Sequence, residues 1–416
     1  MVDPLNAWWA QQLVLCGWAF APDPLALEPE EARTRLANLD VVDRGELGWR
    51  LLEALDSANP DPARLLAALD VVALAGAAGW LSESRARQWG QRLAEEIHAH
   101  HASLDDWLAA LRRARNDEGW VRGDDGFAEA CEALATLEHD GEGVTWEMLR
   151  DWLLANRRTP ALWPEEAEAR VWRLRAAFSP VLETSAGALD WQGLETWLAE
   201  SWQVTGRDEL IRLLLWLGAQ GDRQGWDLDA NRLLEADAEA RRRWHAGLAP
   251  RDRDFGRVLL GFVERGEPLE WAAWDWLRLI DLAWAGACLG WLADDEARDV
   301  ALHGADLILR RYSDWPALAR AYQRGRSLFE GQDLLGDFEA DWRLLLHAPV
   351  SPWKPALQEL IDAEQIEASR KRIREWRREP RHWCWPWRRC ASPSWHCARG
   401  WRRVCRWRVA RMRAAI

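Results

Sequence analysis

Apolar residues in this chain recur at three- and four-residue intervals almost from end to end. Leu47, Leu51, Leu52 and Leu55 form one such stripe, and Leu210, Leu213, Leu214 and Leu217 form another. That spacing places the side chains on one face of a helix. No run of alternating β-branched residues interrupts it. The pattern predicts an all-α, multi-helical fold. Helix starts are marked as well. Ser103-Leu104-Asp105-Asp106 has the form of a capping box ahead of Trp107, and Ser313-Asp314-Trp315-Pro316 sets a capping residue before a first-turn proline.

The stripes repeat at a larger scale. Residues 281–298 read DLAWAGACLGWLADDEAR and residues 70–87 read DVVALAGAAGWLSESRAR. At an offset of 211, Asp70/Asp281, Gly79/Gly290, Trp80/Trp291, Leu81/Leu292, Ala86/Ala297 and Arg87/Arg298 coincide. Upstream, VVDRGELGWRLL (41–52) matches VTGRDELIRLLL (204–215) at an offset of 163. The order is kept, so the simplest reading is a tandem pseudo-repeat of one helical unit, with an insertion in the second copy. Gly79 and Gly290 fall where a helix must stop, which predicts a left-handed backbone at both.

These features divide the 416 residues into four stretches. Residues 1–120 form a degenerate first copy, and 121–185 a helical connector with three expected helices. The second copy occupies 186–360, with inserted helices at 218–269 expected near 231–246 and 253–263. Residues 361–416 form a basic tail rich in Arg, Trp and Cys.

Composition changes the picture in two places. There are 33 Trp against 2 Tyr and 7 Phe, and Lys occurs only at 354 and 371; a GC-rich coding sequence accounts for both biases. The net charge of −13 hides a +14 segment from Arg370 onward and a body at −27. An acidic body repels nucleic acid, which excludes it as a partner of the folded part. From Arg377 the tail has no helical period, and it reads as disordered or as out-of-frame translation. The partner its Arg and Trp would suit is an anionic membrane surface, met peripherally. No amino-terminal signal peptide is expected, since MVDPLNAWW has no basic region ahead of an apolar stretch. Its longest apolar run, 71–81, is too short to span a bilayer. Cys16, Cys131 and Cys288 lie in apolar helical contexts, and the expected location is cytoplasmic.

The second copy carries a more specific pattern. Trp274-Asp275-x-x-Arg278 is followed by Gly290 before the next helix, by Ser313 and Trp315 opening a further one, by Tyr322-x-x-Gly325-Arg326, and by Ser351-Pro352-Trp353. In this order the stretch at about 195–355 resembles the bacterial YbeU/YbeR family, a domain of unknown function. The resemblance implies a bacterial origin and no established activity. The first copy lacks counterparts of the Trp-Asp-x-x-Arg and Tyr-x-x-Gly-Arg elements.

Candidate chemistry centres on the same residues. Asp275 and Arg278, three apart, share a helix face and suit an ion pair. With Tyr322 as a hydroxyl donor, and Trp274, Trp315 and Arg326 in support, they form the candidate pocket. The competing reading is a structural pair that ties helices together. His98-Ala99-His100-His101 is the single histidine cluster. It lacks the companion ligands of a zinc site and reads as a solvated helix end, so neither a metal nor a cofactor is expected. Phosphate loops, nucleophile elbows and dinucleotide fingerprints are missing. The function these features support is a non-catalytic scaffold for a protein partner. The alternative is an enzyme or small-ligand binder using the second-copy pocket.

Overall fold

A computed structural model of the chain describes residues 3–18, 23–56, 60–118, 124–156, 162–163, 166–167, 169–178, 191–336 and 339–379. Among the described residues all regular structure is helical, as the apolar spacing predicts. The chain divides into two compact units, 1–165 with 178–189 and 343–354, and 166–177 with 190–342 and 355–416.

The first unit contains α1 (Pro4–Leu13), α2 (Pro29–Asn38), α3 (Arg44–Ala54), α4 (Pro62–Ala77), α5 (Glu83–His100), α6 (Leu104–Glu118), α7 (Asp124–His139) and α8 (Trp146–Ala155). At its centre is α4, which buries eleven of its sixteen residues against α1, α2, α3, α5 and α6. Asp61 caps α4 through the Ala63 amide, and Pro62 opens its first turn. Ser103 caps α6 as expected. Asp106, however, accepts from the amide of Ala102 (3.2 Å), one residue before the cap. In the connector, α7 and α8 are α-helical, whereas Arg170–Ala177 is a 3₁₀ segment of the second unit.

The second unit opens with α9 (Trp191–Trp197), continued by a π-helical turn to Trp202, and α10 (Arg207–Ala219). Residues 218–269, expected to be an insertion, hold α11 (Arg223–Glu235), α12 (Ala238–Ala246) and α13 (Arg253–Glu264). The single helix expected near 231–246 is thus broken, because Asp237 takes an extended backbone and caps α12 through the Ala240 amide. Then come α14 (Ala272–Cys288), α15 (Asp294–Arg311), α16 (Trp315–Glu330), α17 (Glu339–His347) and α18 (Ala363–Arg378). The unit boundary at 342/343 falls within α17. Here α14 is the central helix. It buries fifteen of its seventeen residues against α10, α15, α16 and the 3₁₀ segment. Fully buried Leu277, Leu279 and Ile280 alone contribute roughly 1.5–3 kcal/mol each.

Details recur between the units at the offsets read from the sequence. Gly79 (φ +73°) and Gly290 (φ +67°) end the central helices in the left-handed region. A Cβ at either would meet nothing within 4 Å, so backbone conformation, and not space, requires glycine there. Just after them, Trp80 and Leu81 donate to the Ala75 carbonyl, and Trp291 and Leu292 to that of Gly286. Arg44 donates to the Trp80 carbonyl (3.1 Å), and Arg207 to the Trp291 carbonyl (2.7 Å). Asp40 (φ +60°) and Gln203 (φ +54°) are the non-glycine residues with positive φ among those described, and each precedes a fully buried valine, Val41 and Val204.

The segment grouped above with the tail begins differently from its composition. Residues 363–378 form α18, which buries Ser369, Ile373 and Trp376 and packs on α15. The tail cysteines at 384, 390, 397 and 405 lie outside the described residues, as does everything after 379.

Candidate functional site

The Trp-Asp-x-x-Arg element occupies the first two turns of α14, and both charged residues are buried, Asp275 at 0% and Arg278 at 3% exposure. Their side chains pair at 2.7 Å, as the three-residue spacing allows. Two further charges join them from the insertion. Arg278 also bonds Asp222 (2.7 Å), and Arg223 bonds Asp275 (3.0 Å). The network therefore holds two carboxylates and two guanidiniums, a balanced set suited to burial.

Asp275 has no spare acceptor capacity. Its Oδ1 accepts from the Asp222 amide (3.2 Å) and Arg278 (2.7 Å), and its Oδ2 from the Arg223 amide (3.1 Å) and the Arg223 guanidinium (3.0 Å). Four donors fill the roughly four lone-pair directions of a carboxylate. Gly221 makes this approach feasible. It sits at φ +60°, and a Cβ there would lie 1.9 Å from Asp275 Oδ2. Burial pushes the Asp222 carboxyl above its ordinary value, and the Arg278 charge opposes that rise.

Aromatic rings close the network from the other side. The Arg278 guanidinium lies 4.4 Å from the Trp274 ring, 5.1 Å from Trp202 and 5.4 Å from Phe329, distances at which cation–π attraction adds to the ion pairs. Gly325 brings α16 against α14, since a Cβ there would fall 2.4 Å from that of Trp274.

The remaining candidates are placed differently. Tyr322 is buried between Trp274 (5.2 Å) and Trp342 (5.1 Å). Trp315 is buried at the start of α16, where its indole donates to the Pro355 carbonyl (2.8 Å). Arg326 is half-buried on α16. The structure thus brings Asp275, Arg278, Trp274 and Tyr322 into one packed cluster, while Trp315 is anchored to the 355 backbone. Gly221, Asp222, Arg223 and Trp202 complete the cluster but carry no motif, and the Gly-Asp-Arg string at 221–223 is the one local signal that could have marked them.

Two features lie elsewhere. The histidine cluster is not a solvated helix end. The His98 ring stacks on Trp146 (3.9 Å), and burial lowers its pKa to about 4, while His100 bonds Glu96 (3.1 Å). Among the described residues no group of three or more His, Cys, Asp or Glu side chains is placed to hold a metal ion. In the second unit an open cleft of about 780 Å³ runs between α13 and the turn after α16, lined by His245, Arg257, Val258, Glu264, Arg265 and Asp333 among others. None of the sequence-predicted residues lines it.

Residues 197–356 match the family described as Protein of unknown function (DUF1266), over less than half of the chain. No curated protein and no solved structure matches. The matched stretch begins at the end of α9 and runs past α16, so it holds the whole Asp275–Arg278 network. Among the described residues no helix is long and apolar enough to cross a membrane.

Proposed function

We propose that this chain is a non-catalytic scaffold made of two copies of one helical unit, and that its surfaces bind a protein partner. The observation that carries this reading is the saturation of Asp275 by four donors of the chain itself. A carboxylate held this way organises helices and has no free lone pair for a substrate. Duplication is supported by the recurrence of the Gly79/Gly290 stops, the Arg44/Arg207 bonds and the Asp40/Gln203 backbone at the offsets read from the sequence. The order of the Trp-Asp-x-x-Arg, Tyr-x-x-Gly-Arg and Ser-Pro-Trp elements supports a place beside the bacterial YbeU/YbeR proteins. Buried Cys16, Cys131 and Cys288 suit the reducing cytoplasm. Peripheral membrane contact through the tail is a proposal from its composition alone.

Partner recognition is best sought on α11, where Leu228 (66%) and Leu234 (55%) are exposed on the insertion within the second copy. The test is partner cross-linking in the native host with wild type, with Leu228→Asp/Leu234→Asp and with Arg278→Met. We expect the leucine variant to lose a cross-linked protein while its melting temperature holds. Arg278→Met is expected to lose stability first. An Arg278→Met protein that melts normally but no longer binds a small ligand would replace the scaffold with a ligand-binding function. The cleft beside α13, which Arg278 does not line, would be a ligand site separate from the one this variant tests.

A further inference from the structure

We propose that the acidic face of α15 is a docking surface for a basic amphipathic helix, occupied here by α18 as an electrostatically held strap. This goes beyond the scaffold reading and does not depend on it. Four carboxylates spaced along α15 face α18. Arg372 bonds Asp295 (2.9 Å) and Asp299 (3.1 Å) and lies 3.9 Å from Glu296, and Arg370 bonds Asp306 (3.2 Å), which Arg310 of α15 also bonds (2.9 Å). Arg370 (38%) and Arg372 (27%) keep part of their side chains in solvent, and so does Asp295 (55%), whereas Asp299 (13%) and Asp306 (7%) are largely covered, so salt screens the Asp295 pair most.

The apolar hold is confined to one short seam. Only Ser369, Ile373 and Trp376 of the sixteen residues in α18 are buried, against fifteen of seventeen in α14. The strap thus joins a short apolar seam to paired charges, whereas the central helix is held by its core. Its polar entry is fixed separately: Asp362 and Gln365 form a capping box, and Gln365 donates to the Ala167 carbonyl (2.9 Å).

The first unit shows that the surface is specialised. At the offset of 211 that aligns α15 with α5, Asp295, Glu296 and Asp299 become Ser84, Arg85 and Gln88, and Asp306 becomes Glu95. Three of the four docking carboxylates are absent there. The face of α5 is covered in another way, with Arg85 bonding the Leu162 carbonyl (2.8 Å) and Trp89 meeting the Trp163 ring edge-on (5.6 Å). Acidic residues are thus denser on α15, where a basic helix docks, than on its counterpart, which keeps Glu95 at the aligned positions.

Hydrogen–deuterium exchange of the full-length protein tests this. Raising salt from ~0.05 to ~1 M shortens the screening length to about 3 Å. Exchange across 363–378 should then quicken on the order of tenfold, as weakened surface ion pairs permit, while α14 stays protected. Arg372→Glu at low salt should reproduce the effect, and adding Asp299→Arg should restore slow exchange by reversing the pair. If Arg372→Glu also exposes α14, the wild-type salt series decides alone. Exchange in α18 that ignores salt, or that rises and falls with α14 at every concentration, would overturn the strap.

Discussion

The two units share a plan and differ in what lies at the head of the central helix. In the first, position 64 is an arginine, half exposed and paired with Glu53 (2.8 Å) across the surface, and position 67 is alanine. At the same register in the second, Asp275 and Arg278 are buried and joined by Asp222 and Arg223 from the start of α11. The first unit thus closes its central helix with a solvated pair. The second closes it with a four-charge network and needs an inserted segment to do so. A buried charge must bring its partners with it, so the insertion and the Asp-Arg pair belong to one structural device.

The carboxylates at the middle of the central helices make the same point. Asp70 accepts from the Trp18 indole (2.8 Å), a neutral donor. Asp281 accepts from Arg175 (2.9 Å), whose guanidinium lies 3.4 Å over the Trp284 ring. Burial raises the Asp281 carboxyl above its usual value, against the opposing charge of Arg175. One residue type at one register is kept, and each unit satisfies it with whatever donor its own chain supplies.

The largest test of this contrast is charge removal at the helix head. Arg278→Met should cost roughly 3–5 kcal/mol, because it leaves buried carboxylates without their partner. Arg64→Met in the first unit should cost less than about 1 kcal/mol, as an exposed pair does. Urea denaturation monitored separately in each unit would measure both, and equal losses would break the comparison. Gly221→Ala should follow Arg278→Met closely, since its Cβ would strike Asp275 in a backbone region already unfavourable to it.

Smaller effects should be shared. Gly79→Ala and Gly290→Ala each place a side chain at positive φ in open space, and each should lose about 1–2 kcal/mol. A marked inequality in their melting shifts would argue against duplicated helix stops. Arg44→Met and Arg207→Met should differ modestly. Both lose a carbonyl bond worth about 1 kcal/mol, but Arg207 also loses a bidentate pair with Glu296 (2.7 and 2.8 Å). Calorimetry should rank Arg207→Met as the more damaging.

Acid sensitivity is the most diffuse prediction. Burial lowers His98 in the first unit and His303 in the second to about 4. Each binds a proton more readily when unfolded, so stability is full above the unfolded value near 6.5 and falls as pH drops from there toward 4. Asp222, Asp227 and Asp281, all raised by burial, act in the opposite sense as pH falls. Melting curves from pH 7 to about 4.5 should therefore shift down, and His98→Phe should flatten the slope. A slope unchanged by that substitution would show that the Trp146 stack does not hold the ring neutral.

Much of this was legible beforehand. The apolar periodicity marked the central helices, the glycines marked their stops, and the offsets of 163 and 211 aligned turns that recur in geometry. Asp275 and Arg278 were legible as neighbours because three residues is nearly one helical turn. Their other partners were not. Asp222 and Arg223 lie more than fifty residues away, across helices whose packing no local spacing encodes. His98 reads as a solvated helix end in a polar string, and only the arrival of Trp146 beside it makes it an interior ring. The 361–416 composition suggested a single tail, yet α18 is separated from the rest by its partners on α15.

The sequence by itself determined the helices, their caps and their stops, because each depends on residues within a turn or two. Tertiary structure alone decided whether a charged residue is a site or a strut. That choice rests on how many donors reach one carboxylate from distant helices. At Asp275 three do, from Asp222 and Arg223, beside the one that Arg278 supplies from the same helix.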